Sequence, residues 1–187
     1  MRVIGIDPSL TCTSIVSLCW EPTTPSNIEH EIQRIITAPK DFDSIPHRLE
    51  HMRHALLDAI KLLAKPDLVV LEGYALGSRS SHQHAIAEWG GILRWTLWSE
   101  CLEYWEMPPT TLKSYITGKG NCEKSLVLRE VYKRWQFDAK DDNDADAYGL
   151  ARFGHEALSV DRESAAGKRV EKWIQKCKVT KPFNRAY

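Results

Sequence analysis

Apolar side chains in the first forty positions form three short runs, which predict three β-strands. The runs cover residues 2–6, 14–20 and 31–36. Residues 21–27, between the second and third runs, carry the proline, threonine and asparagine residues that favour turns. Strands joined by such connections pair with their neighbours in the chain, so the pattern predicts an antiparallel meander.

The hydrophobic period changes to that of a helix over residues 45–64, where Leu, Met and Ile recur every three or four positions. Pro66 ends this helix, because proline interrupts the hydrogen-bonding pattern. Four apolar residues follow at 68–71. A run without polar positions, placed after a helix, is typical of a buried strand in a parallel pairing. The predicted strand ends at Glu72.

The remaining chain predicts mainly helices separated by polar turns. Apolar residues on one face indicate a long helix over 82–104, and a proline pair then opens a short segment. A glycine-rich turn at 118–121 precedes a helix over 123–135. The acidic stretch 141–144 leads into a last core helix over 145–158, since carboxylates favour the positive end of a helix dipole.

Composition adds an asymmetry of charge to this picture. The 187 residues are 43% hydrophobic and 27% charged, which is typical of a folded globular chain, and 25 basic residues balance 25 acidic ones. Residues 161–187 nevertheless hold eight basic and three acidic side chains, which gives +5 there and −5 in the preceding part. We expect one folded domain over residues 1–160 and a basic C-terminal extension over residues 161–187.

The cysteine spacing, the first residues and the lack of a long apolar segment together predict a cytoplasmic protein. The five cysteines form no Cys-x-x-Cys pair, so we expect reduced thiols with neither disulfides nor a structural zinc site. The first residues lack the apolar run of a signal peptide. No segment approaches the roughly 18 uninterrupted apolar residues of a membrane span.

Three acidic residues lie where predicted elements begin or end. Asp7 follows the first strand, Glu72 follows the buried strand, and Asp146 lies in the first turns of the last helix. Catalytic groups of open α/β sheets gather at the carboxyl ends of strands. Carboxylates that meet there repel one another, and a hard cation such as Mg²⁺ relieves the repulsion. Each acid alone is equally well explained as a solvated residue, but together they predict a metal site.

Four blocks of residues resemble, in the same order, the motifs of the RuvC family of Holliday-junction resolvases in the RNase H-like superfamily. Residues 4–11 (Ile-Gly-Ile-Asp-Pro-Ser-Leu-Thr) resemble its first-strand motif. Residues 69–72 and 85–91 resemble its second acidic strand and the helix that follows. Residues 109–125 are similar to its lysine and glycine segment, and residues 144–151 to its closing acidic helix. The first motif alone also fits actin-like sugar kinases, which need a much longer chain.

The resemblance implies an α/β fold of RNase H type, with a five-stranded mixed sheet in the order 3-2-1-4-5 and helices on both faces. It implies a homodimer that resolves four-way branched DNA by paired nicking, with a two-metal mechanism that uses Mg²⁺ and accepts Mn²⁺ as a substitute. It also implies that Asp7, Glu72 and Asp146 are metal ligands and that Lys113 and Lys124 are catalytic or junction-binding lysines.

The sequence departs from the family pattern at one ligand. The family commonly has an acid three residues before its last aspartate, where this chain has Asn143. Asp142 lies four residues before Asp146, so both share one face of a helix, whereas Asp144 points elsewhere. We predict that Asp142 is the fourth ligand and a member of the catalytic set, and coordination by the amide oxygen of Asn143 stays open.

Further DNA contacts are predicted around the lysines and in the loop after the buried strand. Lys119 lies in the glycine-rich turn between Lys113 and Lys124, where backbone can approach a phosphate closely. The alternative for these lysines is a solvated helix surface. Tyr74 is predicted to stack on an exposed base, with packing under its loop as an equal alternative. Arg79 is predicted to contact phosphate.

The C-terminal extension and the substrate each have more than one interpretation. The extension is either an amphipathic helix docked on the domain, with lysines facing DNA, or a mobile basic arm, and its apolar spacing favours docking. The enzyme is either a junction resolvase or a less selective nuclease that debranches flap DNA, as phage-type members suggest. A junction-binding protein without catalysis is the third possibility, if Asn143 weakens the metal site.

Overall fold

The structure of this chain, a computed structural model, describes residues 1–74 and 83–182. A short 3₁₀ turn, Pro39–Asp41, precedes the first helix. No helix in this part of the chain is long and apolar enough to cross a lipid bilayer. The elements follow one another as β1 (Arg2–Asp7), β2 (Cys12–Trp20), β3 (Ile28–Ile36), α1 (Ile45–Leu62), β4 (Leu68–Glu72), α2 (Gln83–Ser99), β5 (Tyr104–Met107), α3 (Pro109–Thr117), α4 (Lys124–Trp135), α5 (Asp142–Ser159), α6 (Ala165–Ile174) and β6 (Lys178–Thr180).

The strands form one mixed sheet in the order β3-β2-β1-β4-β5-β6. β4 pairs in parallel with both β1 and β5, while the other pairings are antiparallel. The predicted α/β class and the strand order 3-2-1-4-5 are confirmed. The predicted number of five strands is corrected to six, because the C-terminal extension adds β6 at the sheet edge beside β5.

Helices cover both faces of the sheet and divide the core into two layers. α1 and α2 pack on one face, around side chains such as Val69 and Leu71. The helices α3 to α6 pack on the other face, around side chains such as Leu68 and Val70. β4 therefore buries alternate side chains on opposite faces, which explains its uninterrupted apolar sequence.

α5 crosses β1 at very short range, and Gly5 makes this approach possible. A Cβ atom on Gly5 would lie 2.1 Å from the carbonyl oxygen of Ala147 and 2.5 Å from the backbone nitrogen of Ala151. Both distances are far below van der Waals contact, so only glycine fits here. The close contact brings the first half of α5 to the carboxyl end of β1.

The predicted helix over 82–104 was too long. α2 ends at Ser99, Cys101 takes a left-handed backbone conformation with φ of 55°, and residues 104–107 form β5. No glycine or proline marks the end of α2 in the sequence, so the prediction extended the helix to residue 104. The missed strand is short, with only four residues.

The predicted start of the last core helix was also wrong, since α5 begins at Asp142 rather than at residue 145. The Asp141 side chain caps the helix by accepting a hydrogen bond from the Asp144 amide at 3.0 Å. The acidic stretch forms the cap and first turn of α5, as expected of carboxylates at the positive end of a helix dipole. Asp142 and Asp146 are consequently one helical turn apart.

The C-terminal extension packs on the rest of the chain. Ser164 caps α6 by accepting a hydrogen bond from the Gly167 amide, and Val170 on the inner face of α6 is only 2% exposed. The Trp173 ring lies edge-on to Tyr115 of α3, with ring centres 6.4 Å apart. The extension thus takes the docked arrangement, and the chain then returns along the sheet as β6.

Candidate active site

Asp7 and Glu72 are the last residues of two neighbouring parallel strands, β1 and β4. Ile6 lies opposite Leu71 in the ladder, so the two acids that follow them lie about one strand spacing (~4.8 Å) apart. A hydrogen bond links their carboxyl groups. The structure thus brings together two of the three acids that the sequence places at element ends.

α5 adds two further carboxylates to the same edge of the sheet. Asp146 and Asp142 both act electrostatically on Asp7. One side-chain oxygen of Asp146, Oδ1, is buried and has no hydrogen-bond partner among the described residues. Asp142 is closer to the surface, and its carboxylate accepts a hydrogen bond from the Lys124 ammonium. We call these four residues (Asp7, Glu72, Asp142 and Asp146) the acidic cluster.

Burial and mutual repulsion make the acidic cluster hard to ionise. Burial raises the pKa of Asp7 well above its ordinary range, and the charges of Glu72 and Asp146 raise it further. Burial also raises the pKa of Glu72, against the opposing effects of its hydrogen bond with Asp7 and of the Lys113 charge. Burial and the charge of Glu72 raise the pKa of Asp146 to about 7. The cluster therefore retains protons near neutral pH unless positive charge is brought to it.

Two of the three predicted lysines reach the acidic cluster. Lys113 of α3 and Lys124, the first residue of α4, both lower the pKa of Glu72 through their charges. The hydrogen bond to Asp142 raises the pKa of Lys124, so this ammonium group stays charged. Lys119 lies in the exposed turn between α3 and α4, without an ion-pair partner in the described part of the chain.

Asp144 contacts a different set of residues from the acidic cluster. Its buried carboxylate accepts hydrogen bonds from the Ser14 hydroxyl at 2.7 Å and from two nitrogens of the Arg34 guanidinium. Burial alone would raise the pKa of Asp144, but the bonds from Arg34 and Ser14 outweigh this effect and lower the pKa. Asp144 is thus an ionised residue that fixes the first turn of α5 to β2 and β3.

The Asn143 side chain also holds α5 in place. Its side-chain nitrogen donates a hydrogen bond to the Cys12 carbonyl, 3.0 Å away, which ties α5 to the start of β2. Asp142, in contrast, acts electrostatically on all three other members of the acidic cluster. Of the three candidates, Asp142 has the contacts expected of a fourth ligand, and its ligand role stays a prediction.

Sequence reasoning missed Ser14 and Arg34, which position α5. In the sheet, Ser14 of β2 lies directly between Asp7 of β1 and Arg34 of β3. The Arg34 guanidinium also lies 3.3 Å from the Asp141 carboxylate. Ser14 and Asp144 are 130 positions apart in the chain, so no local pattern indicates their contact. The predicted meander gave the pairing of the strands but no register, so it did not place these residues in one row.

We expect Ser14→Ala to lower the free energy of unfolding by about 1.5–3 kcal/mol, because it leaves the buried Asp144 charge short of one hydrogen bond. Urea denaturation measures this change. Ser17→Ala is the matched control on the same strand, since the Ser17 hydroxyl accepts its hydrogen bond from the half-buried Arg2. Equal losses in the two variants would contradict the anchoring role of Asp144.

Tyr74 follows the end of β4 and packs against α2. Its hydroxyl donates a hydrogen bond to the Ala87 carbonyl at 3.2 Å, and the Arg94 guanidinium lies 4.0 Å from its ring centre. These contacts support the packed alternative for Tyr74, although 42% of the residue stays exposed. The predicted phosphate contact, Arg79, lies outside the described residues.

The acidic cluster fits a hard divalent cation in chemistry and in charge. It offers only carboxylate oxygens, which Mg²⁺ and Mn²⁺ prefer, and one of them is the buried Asp146 oxygen without a partner. Within residues 1–74 and 83–182, no three His, Cys, Asp or Glu side chains already surround a common point as a metal cage. In this arrangement the Asp142 carboxylate accepts a hydrogen bond from the Lys124 ammonium.

Curated proteins similar to this chain are RuvC enzymes, although no family model matches it. The crossover junction endodeoxyribonuclease RuvC of Synechococcus sp. (strain CC9311) is 29% identical over 162 residues, which cover 82% of this chain and 98% of the relative. The RuvC of Caldicellulosiruptor saccharolyticus is 29% identical over 154 residues, which cover 81% of this chain and 90% of the relative.

Solved structures give the same relationship at the level of the fold. The structure of Thermus thermophilus RuvC in complex with Holliday junction substrate aligns with a TM-score of 0.70. The alignment covers 96% of this chain and 99% of that one, at 16% sequence identity. The shared fold, together with sequence similarity over four fifths of the chain, supports the resemblance of this chain to the RuvC family of Holliday-junction resolvases.

Proposed function

We propose that this protein is a divalent-metal-dependent endonuclease that resolves Holliday junctions by paired nicking. The observation that carries the proposal is the buried acidic cluster at the carboxyl ends of β1 and β4, with two lysines at its rim. The relatives are named crossover junction endodeoxyribonucleases, which supports the reaction class. The relative from T. thermophilus was solved with Holliday junction substrate, which supports the DNA structure.

The proposed cofactor is Mg²⁺, with Mn²⁺ as a substitute, and Asp7, Glu72, Asp142 and Asp146 would hold it. Two bound ions would supply an activated water molecule and charge for the leaving oxygen of the phosphodiester. Burial of Asp7 keeps bulk water from the inner side of the cluster, which strengthens the charge interactions there. The products would carry 5′-phosphate and 3′-hydroxyl ends.

The lysines at the rim have a separate task in this proposal. Lys113 and Lys124 place positive charge beside the acids, where the negatively charged backbone of the DNA must approach. A lysine ammonium binds phosphate as a point charge and orients it. Lys119, in the exposed turn between the two helices, would contact the same strand further from the cluster. The relatives are bacterial, and we place this activity in the cytoplasm of a bacterial or phage-infected cell.

Resolution of a junction needs two nicks, and we propose that a homodimer supplies the two sites. α1 and α2 border a groove of about 1000 Å³ and expose large apolar side chains beside it. Ile45 is 58% exposed and Trp95 is 54% exposed. Exposed apolar surface of this kind marks an interaction site, and a second copy of this chain is the occupant that paired nicking requires. Analytical ultracentrifugation should give twice the mass of one chain.

A cleavage assay with synthetic DNA tests the proposed function. We expect four-way junctions to be nicked at two symmetrical positions in Mg²⁺ or Mn²⁺, and to stay intact in EDTA; Ca²⁺ serves as the comparison ion. Three-way and flap substrates at the same salt concentration separate junction resolution from less selective debranching. Tight binding without nicking in any of these ions would instead identify a junction-binding protein.

A further inference from the structure

The C-terminal extension presents a row of lysines that the proposed active site does not use. Lys168, Lys172 and Lys176 follow one another at intervals of four residues along α6 and the turn that ends it. All three are exposed, whereas Val170 on the inner face of α6 is buried. Successive lysines lie about 6 Å apart along the helix axis. We call these three residues the lysine row.

The lysine row carries charge that the protein leaves uncompensated. Within the described ranges, Lys168 and Lys172 have no ion-pair partner. The neighbouring acid, Glu171, is already paired with Arg162 at 2.9 Å. The extension as a whole has a formal charge of +5, against −5 for the preceding residues. The lysine row therefore presents unpaired positive charge on the exposed side of α6, apart from the acidic cluster.

The lysine row begins near the end of the sheet at which β1 and β4 finish and where the acidic cluster lies. Lys178, the first residue of β6, lies opposite Glu106 of β5, and the next residue of β5, Met107, lies opposite Glu72. The turn that contains Lys176 is therefore at the same end, about two strand spacings (~10 Å) from β4. Lys172 and Lys168 lie in the helix that leads into this turn.

We propose that the lysine row is a second DNA-contact surface, which binds the phosphate backbone of a duplex arm that extends from the active site. The proposal rests on the proposed function, since it takes branched DNA as the ligand. Charge complementarity selects this occupant, because duplex DNA carries one negative charge per about 1.7 Å of its axis. Contacts to phosphates hold a duplex in place without reading its sequence.

The salt dependence of junction binding tests this proposal. The full chain is titrated against a fluorescein-labelled four-way junction in EDTA at several KCl concentrations, and fluorescence anisotropy gives Kd. The double variant Lys168→Gln/Lys172→Gln should reduce the slope of log affinity against log salt by about 2 and weaken binding at least about tenfold near 0.1 M salt. Lys176 is kept, because its ammonium packs 4.7 Å from the Trp173 ring centre.

The control is Lys61→Gln/Lys65→Gln, which makes the same change in net charge near the start of β4, although Lys61 also lies 3.9 Å from the Asp58 carboxylate. Both lysines are exposed and lie near the end of α1, before β4 begins. This control should keep the wild-type slope. An unchanged slope in the lysine-row variant, or an equal change in both variants, would overturn the proposal.

Nicking by the wild-type protein separates this proposal from the proposed function. If the wild type nicks junctions and the lysine-row variant keeps its slope, the second surface is rejected and the nuclease stands. If the wild type does not nick and the slope falls in the lysine-row variant alone, the second surface stands and the nuclease is rejected. Thermal melting by circular dichroism shows that each variant is folded.

Discussion

Asp7→Asn should abolish nicking of four-way junctions. The asparagine keeps the shape of the side chain but removes the negative charge that would hold a divalent cation. Asp7 is only 6% exposed at the end of β1, which lies between β2 and β4, so an isosteric replacement preserves the surrounding geometry. Loss of an outer partner of a metal site typically costs 10–100-fold, and loss of a direct ligand should therefore cost more than about 100-fold in the single-turnover rate.

Binding of the junction should survive the same substitution. Affinity for DNA comes largely from contacts between basic side chains and phosphates, and a buried carboxylate makes none. Fluorescence anisotropy in EDTA gives the affinity, and gel analysis of single-turnover reactions gives the rate. Asp138→Asn is the matched control, because Asp138 is exposed and loses the same charge outside the acidic cluster. Full activity in a clean preparation of Asp7→Asn would reject the assignment of the site.

The place of Asp7 and Glu72 was predictable because each ends a strand whose pairing the sequence also indicated. Four apolar residues in a row required a strand covered on both faces, and such a strand lies inside a sheet. Carboxyl ends of neighbouring parallel strands meet at one edge, so the two acids had to meet there as well. Asp142 followed from helical spacing once Asp146 was placed, and α5 does include both residues.

The contacts that fix α5 were not predictable in the same way. Asp144 looked like one more acid of the helix start, and its partners come from two strands more than 100 positions away. Only the folded register shows that Ser14 and Arg34 stand in one row. The sixth strand was missed because residues 178–180 are too few to show an alternation of apolar and polar side chains. Their extended conformation comes from pairing with β5.

The free energy of unfolding of the metal-free protein should fall as pH rises from about 5 to 7. Asp146 has a pKa of about 7 in the fold, against 3.8 as the ordinary value of the unfolded chain. Between these values the folded protein holds a proton that the unfolded chain has released. The contribution is therefore complete below pH 4 and is lost as pH rises through 7, by up to about 1.4 kcal/mol per pH unit. Asp7, whose pKa is also raised, acts in the same direction.

His155 acts in the opposite direction, and the experiment must separate the two effects. Burial lowers the pKa of His155, so its contribution grows as pH rises through the same range. Urea denaturation of the wild type and of Asp146→Asn at pH 5, 6 and 7 in EDTA removes the histidine contribution, because it is common to both proteins. The wild type should lose stability relative to the variant by about 1 kcal/mol per pH unit. Parallel curves would contradict the raised pKa of Asp146.

Mg²⁺ should oppose this loss, because it supplies the positive charge that the deprotonated carboxylates require. A ligand that binds only the folded protein stabilises it by about 2.7 kcal/mol at 100 times its Kd. Because protons compete for the same oxygens, the gain should be larger at pH 7.5 than at pH 5.5, and it should shrink in Asp146→Asn. A gain that is independent of pH would place the ion away from the acidic cluster. The repulsion that weakens the metal-free fold is thus the source of its affinity for a cation.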